Sequence, residues 1–330
     1  MENVLAYSFF TNRPRVNTPE SVSNSGRIAA CTKRAIHKSV RMTIWLAKII
    51  LPVSLLVRIL DYMGILTYVA EYTTPLFKAM GLSGESSIVF LSSIFLPLYA
   101  PIAIMTSLPL TMREVTILSL MCLTSHNLPV ESAIQKKTGS SFFRIAFFRI
   151  IMALVMGVFL NMVLPTEGYP SWITTGTNEI ASSFSSLMEG WAISSARLIG
   201  VLLLVLSGLM FLQQILQEFN LLTLLVKPLY PVLRLFGVPK DTAFLWLIGN
   251  TLGLAYGGGV MMEEFNEGKV SKDDCRILNV HLSMCHSLVE DSMIFAALGI
   301  SVFWIIFPRL LFAFVAVWGY RLFLRATSKT

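Results

Sequence analysis

The stretch Ser125-His126-Asn127-Leu128-Pro129-Val130-Glu131-Ser132 returns 160 positions later as Cys285-His286-Ser287-Leu288-Val289-Glu290-Asp291-Ser292, each time inside an apolar run. The match widens without a gap to Thr111–Met152 against Ser271–Phe312, 42 positions of which twelve are identical, His126/His286, Ser132/Ser292, Gly139/Gly299 and Arg149/Arg309 among them. Glu131 faces Asp291 and Glu114 faces Asp274 in this register. Upstream the offset becomes 156 and pairs Pro75/Pro231, Lys78/Arg234, Gly81/Gly237 and Glu85/Asp241. Coincident Leu and Ile mean little in an apolar chain, whereas coincident His, Arg, Pro, Gly and acid positions do not arise by chance. The chain is two copies of one unit, and its fold must consist of two similar halves.

The surroundings of the motif say what solvent those halves meet. Of the 330 residues, 55% are hydrophobic and only 14% charged, against about 25% in a soluble domain. An all-α integral membrane protein follows. Histidine and carboxylate cost at least ~2.5 kcal/mol in hydrocarbon, so finding them there marks a functional site. The net charge of +7 is concentrated at the two ends, in Arg13, Arg15, Arg27, Lys33, Arg34, Lys38 and Arg41 and in Arg321, Arg325 and Lys329. That is the signature of two cytoplasmic termini, not of nucleic-acid binding. Four cysteines, two of them in apolar runs, imply no disulfide framework. Val4–Phe10 is too short for the apolar part of a cleavable signal.

Residues 1–38 are polar and basic without a sustained period and read as a disordered cytoplasmic arm. Residues 39–164 form the first repeat, 165–196 an external linker and 197–325 the second repeat. The linker assignment rests on the absence of Lys and Arg between Arg149 and Arg197. A cytoplasmic start, an external linker and a cytoplasmic end require an odd number of crossings per half. The spacing predicts about five membrane segments in each, and therefore inverted repeats. Ile65–Leu82 and Leu221–Val238 fit either a short crossing or a helix lying at the surface. Inverted repeats bring a solute site to the midplane between halves, commonly on discontinuous helices. Pro97–Ile102 and, at the equivalent place, Gly253 with Gly257–Gly259 are where the spans are expected to unwind.

The candidate site residues are Ser125, His126, Asn127, Glu131, Ser132 and Asn250 with His286, Ser287, Glu290, Asp291 and Ser292, as substrate-binding or proton-coupling groups. Helical spacing also places Cys122 with His126, His281 with Cys285, and His286 with Glu290 at i, i+4. Imidazole with thiolate or carboxylate suits a transition metal, so Cys122, His126, His281, Cys285 and His286 form a second, metal-binding candidate set. A purely structural role, hydrogen bonds across helices, is the third reading of the same residues. Leu254–Gly259 lacks the strand before it and the Lys-Ser/Thr after it that a phosphate loop requires. No catalytic constellation and no cofactor site is evident.

Leu118–Gly139 with its His126-Asn127-Leu128 and Glu131-Ser132, the Gly-rich Leu252–Met262 and the tandem arrangement resemble the nucleoside-recognition (Gate) membrane proteins. That group takes in spore maturation proteins and the Gate segments of nucleoside and ferrous-iron permeases. The resemblance implies a bacterial inner-membrane, permease-like fold and a lipid-embedded protein. The function expected is a secondary transporter of a small polar or anionic solute, possible proton coupling included. A divalent-metal permease and a non-transporting scaffold recruiting a partner through the basic arm are the alternatives. Oligomeric state, homo-oligomer included, is open.

Overall fold

The computed structural model describes residues 24–165, 183–219, 221–251 and 253–327. Every regular element among them is helical: fourteen α-helices and one short 3-10 turn. The first seven are α1 (Asn24–Tyr62), α2 (Ile65–Lys78), α3 (Ser86–Phe95), α4 (Tyr99–Met105), α5 (Met112–Ser125), α6 (Leu128–Lys137) and α7 (Phe142–Val163). The second seven are α8 (Phe184–Glu218), α9 (Leu221–Leu235), α10 (Ala243–Thr251), α11 (Gly253–Asn266), α12 (Lys272–Met284), α13 (Glu290–Ala297) and α14 (Val302–Thr327). Each helix thus has its counterpart seven places on.

Four of them, α1, α7, α8 and α14, are long and apolar enough to cross a membrane. Ser86–Met105, Glu114–Lys137, Thr242–Met262 and Cys275–Leu298, each a stretch of the length of one membrane segment, are each split into two shorter helices. At 1.5 Å per residue, the 14 residues of α2 and 15 of α9 rise about 21 Å and 23 Å, short of the ~30 Å hydrocarbon core.

The same local devices start and stop the helices of both halves. Thr111 caps α5, its hydroxyl accepting from the Glu114 N–H while the Glu114 side chain takes the Thr111 N–H, and Ser271 accepts from the Asp274 N–H at the start of α12. An N-cap side chain supplies an acceptor to an otherwise orphaned backbone donor, and the acid three residues on favours the positive end of the helix. At the other end Gly139 and Gly299 adopt φ of +96° and +93°, a conformation closed to most side chains, and let Ser140 and Ile300 donate back to the carbonyls of Gln135 and Phe295.

Two expectations are corrected here. Residues 24–38 are not a disordered arm but the first turns of α1, and residues 184–196 belong to α8 rather than to a linker. Residues 1–23 and 166–182 lie outside the described residues. The physical reason is a buried stripe of small side chains, Cys31, Ala35, Ser39 and Thr43 running into Leu46 and Ile50, that packs along α8. The pair is antiparallel: Arg27 and Arg34 grip Glu218 at 3.1 and 2.8 Å, Ser207 donates to Ser39 at 3.0 Å, and the Trp191 indole donates to Ser54 at 3.0 Å.

Helices α3 and α4 form a hairpin whose open end closes where the Ser83 N–H donates to Glu114 at the start of α5 (3.0 Å). Its counterpart, α10 and α11, is tighter. A Cβ on Gly257 would meet the Gly249 backbone at 3.0 Å, and one on Gly258 the Ile134 side chain of α6 at 2.3 Å. Gly257–Gly259 are therefore helical and serve close packing, whereas Gly253, at φ +79°, stands at the break between the two helices. The unwinding expected at Pro97 is present, with Leu96 extended between α3 and α4.

Apolar side chains collect in two main clusters. The larger joins most of the first half to α8, α13 and α14, and holds Leu118, Met121, Ile294, Phe295 and Phe312. The smaller belongs to α9–α12, with Leu233, Trp246, Leu278 and Leu282. Helix α6 meets α11 and α12 beside this second cluster.

Candidate functional site

Both copies of the motif interrupt a helix. His126 ends α5 in extended conformation (ψ 154°), and Asn127 turns left-handed at φ +49° before Pro129 opens α6. In the second half the break runs from Cys285 to Val289, and Ser287 takes φ +48°. These are the only non-glycine residues with positive φ among the described residues. A break inside a membrane leaves backbone groups that only protein can satisfy. Each break is met by the neighbouring hairpin: the Asn127 N–H reaches the carbonyls of Ser93 and Leu96, and the Ser287 and Val289 N–H groups reach Gly249 and Asn250.

The breaks turn the two histidines toward each other. Their rings lie 5.2 Å apart at 36°, both buried, and each Nδ1 is hydrogen-bonded to the carbonyl four residues back, of Cys122 and Leu282 respectively. With Nδ1 so held, Nε2 faces the site. That of His126 lies 3.1 Å from Glu131 Oε1, and that of His286 lies 3.5 Å from Glu131 Oε2 without a hydrogen-bond partner. Arg149, fully buried on α7, spends all three nitrogens here: Nη1 on Glu131 (2.6 Å), Nε on the Thr124 carbonyl (2.7 Å) and Nη2 on the His126 carbonyl (3.3 Å).

The second copy keeps the frame and not the fit. Arg309, equally buried on α14, donates Nη2 to the His286 carbonyl and stands 3.8 Å from Asp291. Its Nε and Nη1 have no partner, nor has Asp291 Oδ2. Asp291 is one methylene shorter than Glu131. Glu290 leaves the site and accepts from the Tyr99 hydroxyl of α4 at 2.9 Å, a contact between the halves.

Of the other expected residues, Ser132 and Ser292 have buried hydroxyls without a partner, and Asn250 donates to the Trp246 carbonyl with its side-chain oxygen unpartnered. Ser125 donates back to the Met121 carbonyl, one turn earlier, and so serves its own helix. The metal candidates divide. His126 and His286 converge with Glu131, the three offering ligand atoms within 4.8 Å of one another. Cys122 lies one turn before the first break and Cys285 at the start of the second, and neither joins such a group among the described residues. His281 is a correction of another kind: its Nδ1 accepts from the Trp246 indole at 3.1 Å, and its ring packs on Phe236 in the second cluster. The i, i+4 pairing of His286 with Glu290 is also lost, because the helix is broken between them.

Sequence reasoning missed Tyr99 and weighed Arg149 and Arg309 without placing them in the site. The arginines stood at matched positions inside apolar runs, which was the available signal. Tyr99 has Ala255 at its counterpart position, so the repeat gave none. Outside the site, the acidic residues after α11 are largely self-neutralised. Lys269 bonds Glu267 at 2.6 Å and Glu264 at 3.0 Å, and these bonds raise its pKa above the usual lysine value.

This geometry defines an all-helical membrane protein in which two related halves present broken helices, and their ionisable side chains, to a common buried site. Comparison with known proteins carries the assignment further. The nucleoside-recognition (Gate) family matches residues 43–141. An uncharacterised membrane protein of Bacillus subtilis (strain 168), YvoD, is 34% identical over 269 residues, which is 79% of this chain and 84% of that protein. The chain belongs to this family of membrane proteins. No solved structure matches it.

Proposed function

We propose that the chain is a secondary transporter or permease of the bacterial inner membrane, moving a small polar or anionic solute through the site between two inverted repeats. The observation that carries this reading is the meeting of His126 and His286, one from each half, beside Glu131 at the ends of broken helices. A structural bundle gains nothing from two imidazoles and a carboxylate at that place, where an apolar core would serve as well or better.

The inversion is supported by the antiparallel pairing of α1 with its counterpart α8. Basic residues at the start of α1 and the end of α14 then face the cytoplasm. In this arrangement α3–α4 and α10–α11 are hairpins that enter and return. Three crossings per half remain: α1, α5–α6 and α7, then α8, α12–α13 and α14. Each half still crosses an odd number of times, and α2 and α9 lie at opposite surfaces. Rocking one half against the other exposes the site to each side in turn.

Within the site the carboxylates of Glu131 and Asp291 balance the guanidiniums of Arg149 and Arg309 at neutral imidazoles. A proton taken up with an anionic solute keeps that balance, which suits a proton-coupled cycle. A second reading, a permease for a divalent transition metal as cargo, is favoured by the convergence of His126, Glu131 and His286. Its ligand set has lost the cysteines and His281, and Arg149 already holds Glu131.

The test uses purified protein in proteoliposomes exposed to a mixture of polar and anionic metabolites and, separately, to Mn(II), Fe(II) and Zn(II), with vesicle contents read by mass spectrometry. The account expects solute accumulation that His126→Gln and His286→Gln each reduce at least tenfold at equal incorporation. Metal accumulation lost in the same variants would favour the second reading, and equal contents in wild type and variants would refute both.

A further inference from the structure

The two copies of the site differ in one respect that the repeat itself makes measurable. Glu131 is enclosed, with Arg149 Nη1 donating at 2.6 Å and the Nε2 atoms of His126 and His286 standing at 3.1 and 3.5 Å. Around Asp291 there is only Arg309, at 3.8 Å. The guanidinium that should be saturated has two free nitrogens, Nε and Nη1, on a side chain with no solvent exposure. Ser292, one residue on, also has a buried hydroxyl without a partner, as has His286 at Nε2.

Buried polar groups are almost always hydrogen-bonded, and a buried charged donor left open is the most expensive exception. The first copy shows what closes such a frame. There one carboxylate oxygen of Glu131 lies on Arg149 Nη1, delivered by a side chain one methylene longer than Asp291. In the second copy the side chain stops short and the matching place is left to another oxygen anion.

The geometry points to the second-half group of His286, Asp291, Ser292 and Arg309 as the cargo-binding half of the site, with the free Nη1 of Arg309 taking an oxygen of a carboxylate or phosphate group. With Nη2 held on the His286 carbonyl the guanidinium plane is fixed, so Nη1 offers a donor of set direction, which a rotating lysine ammonium does not. The unpartnered Oδ2 of Asp291 asks for the opposite, a hydroxyl or amine hydrogen. The cargo is therefore a small organic anion carrying a hydrogen-bond donor near its charged end, a hydroxy acid or a sugar phosphate in kind. The Glu131–Arg149 pair is already complete and holds the frame. This inference rests on the transporter reading and sharpens it by naming the solute's charge and the half that grips it.

The test is binding, measured apart from transport. Purified full-length protein in nanodiscs is titrated calorimetrically with glycolate and with glycerol phosphate, acetate and inorganic phosphate serving as probes without the extra donor, and its melting temperature is recorded. Saturable binding is expected, tighter for glycolate than for acetate or for glycerol phosphate than for phosphate, the stronger pair deciding between carboxylate and phosphate. Asp291→Glu, which supplies the missing methylene, should fill the place itself: the melting temperature holds or rises while binding weakens at least tenfold. Arg309→Lys, which keeps the charge and loses the fixed direction of Nη1, should weaken binding similarly. Unchanged binding in a folded Asp291→Glu protein, or no binding of any of the four to wild type, overturns the proposal. Binding without vesicle uptake would instead refute the transporter reading and leave the anion site standing, and uptake without binding would do the reverse.

Discussion

Helices α6 and α13 stand at equivalent places in the two halves and differ in nearly everything beyond their backbones. From α6, the Gln135 amide donates to the Asn279 carbonyl and the Ser283 hydroxyl of α12, and the Asn279 amide answers to Gln135, Thr138 and Ser140 at 2.9–3.3 Å. Arg276 closes the end of this contact on the Gly139 carbonyl at 3.0 Å. At the same positions in and after α13 stand Phe295, Leu298 and Ile300, all in the larger apolar cluster with the first half. One junction is directional and hydrogen-bonded, and the other is apolar and close-packed. Hydrogen bonds across a junction can be exchanged for water when it parts, at a net loss of only ~0.5–1.5 kcal/mol each, whereas parting an apolar junction exposes its whole area. In the proposed transport cycle the α6–α12 junction is the one that parts at the lower cost, and the α13 junction is the pivot.

Arg149→Met leaves Glu131 and two carbonyls unpaired in the interior and should lower stability by about 3–5 kcal/mol. Arg309→Met, whose guanidinium is mostly unpaired already, should cost less than half as much, and thermal melting in detergent reads both. Phe295→Ala, at a fully buried position, should lower stability by about 3 kcal/mol through the cavity it leaves. Gln135→Leu removes the donor to the Asn279 carbonyl and the Ser283 hydroxyl and should cost about 2 kcal/mol, and Asn279→Leu on top should add a loss of its own, because its side chain bonds Thr138, Ser140 and the Gln135 carbonyl. Gly258→Ala drives a methyl against Cγ2 of Ile134 and should cost about 1–2 kcal/mol, part of it recovered when Ile134 is cut back to Ala. If Phe295→Ala proves milder than Gln135→Leu, the assignment of pivot and opening junction is reversed.

Much of this was legible before any coordinate. The duplication located both histidines, both arginines and the paired acids, because function had kept costly residues in register inside apolar sequence. What the sequence concealed has physical reasons. The charges of Arg27, Lys33, Arg34 and Lys38 masked the small buried stripe of Cys31, Ala35 and Ser39, so the helical start of α1 read as an arm. Apolar runs show no sign of where a helix breaks, and a run of the right length for one crossing was two halves of a hairpin at Ser86–Met105. Periodicity paired His286 with Glu290 only for an unbroken helix, and the break at Ser287 undid that spacing, whereas Cys122–His126 and His281–Cys285 keep their helical turn while His126 faces Glu131 and His281 faces Trp246. The capping pairs Thr111/Glu114 and Ser271/Asp274 were in the sequence as matched residues, with their role evident only at the helix starts.

The central claim is that the buried place shared by His126, Glu131 and His286 opens to both sides of the membrane. It is tested most directly by replacing Ser132, whose hydroxyl is buried and unpartnered, with cysteine in a background freed of the four native cysteines, and labelling with a membrane-impermeant thiol reagent from each side in turn. The account predicts labelling from both sides, slowed from both when a transported solute is present. Labelling from neither side, in protein that still transports, would contradict it.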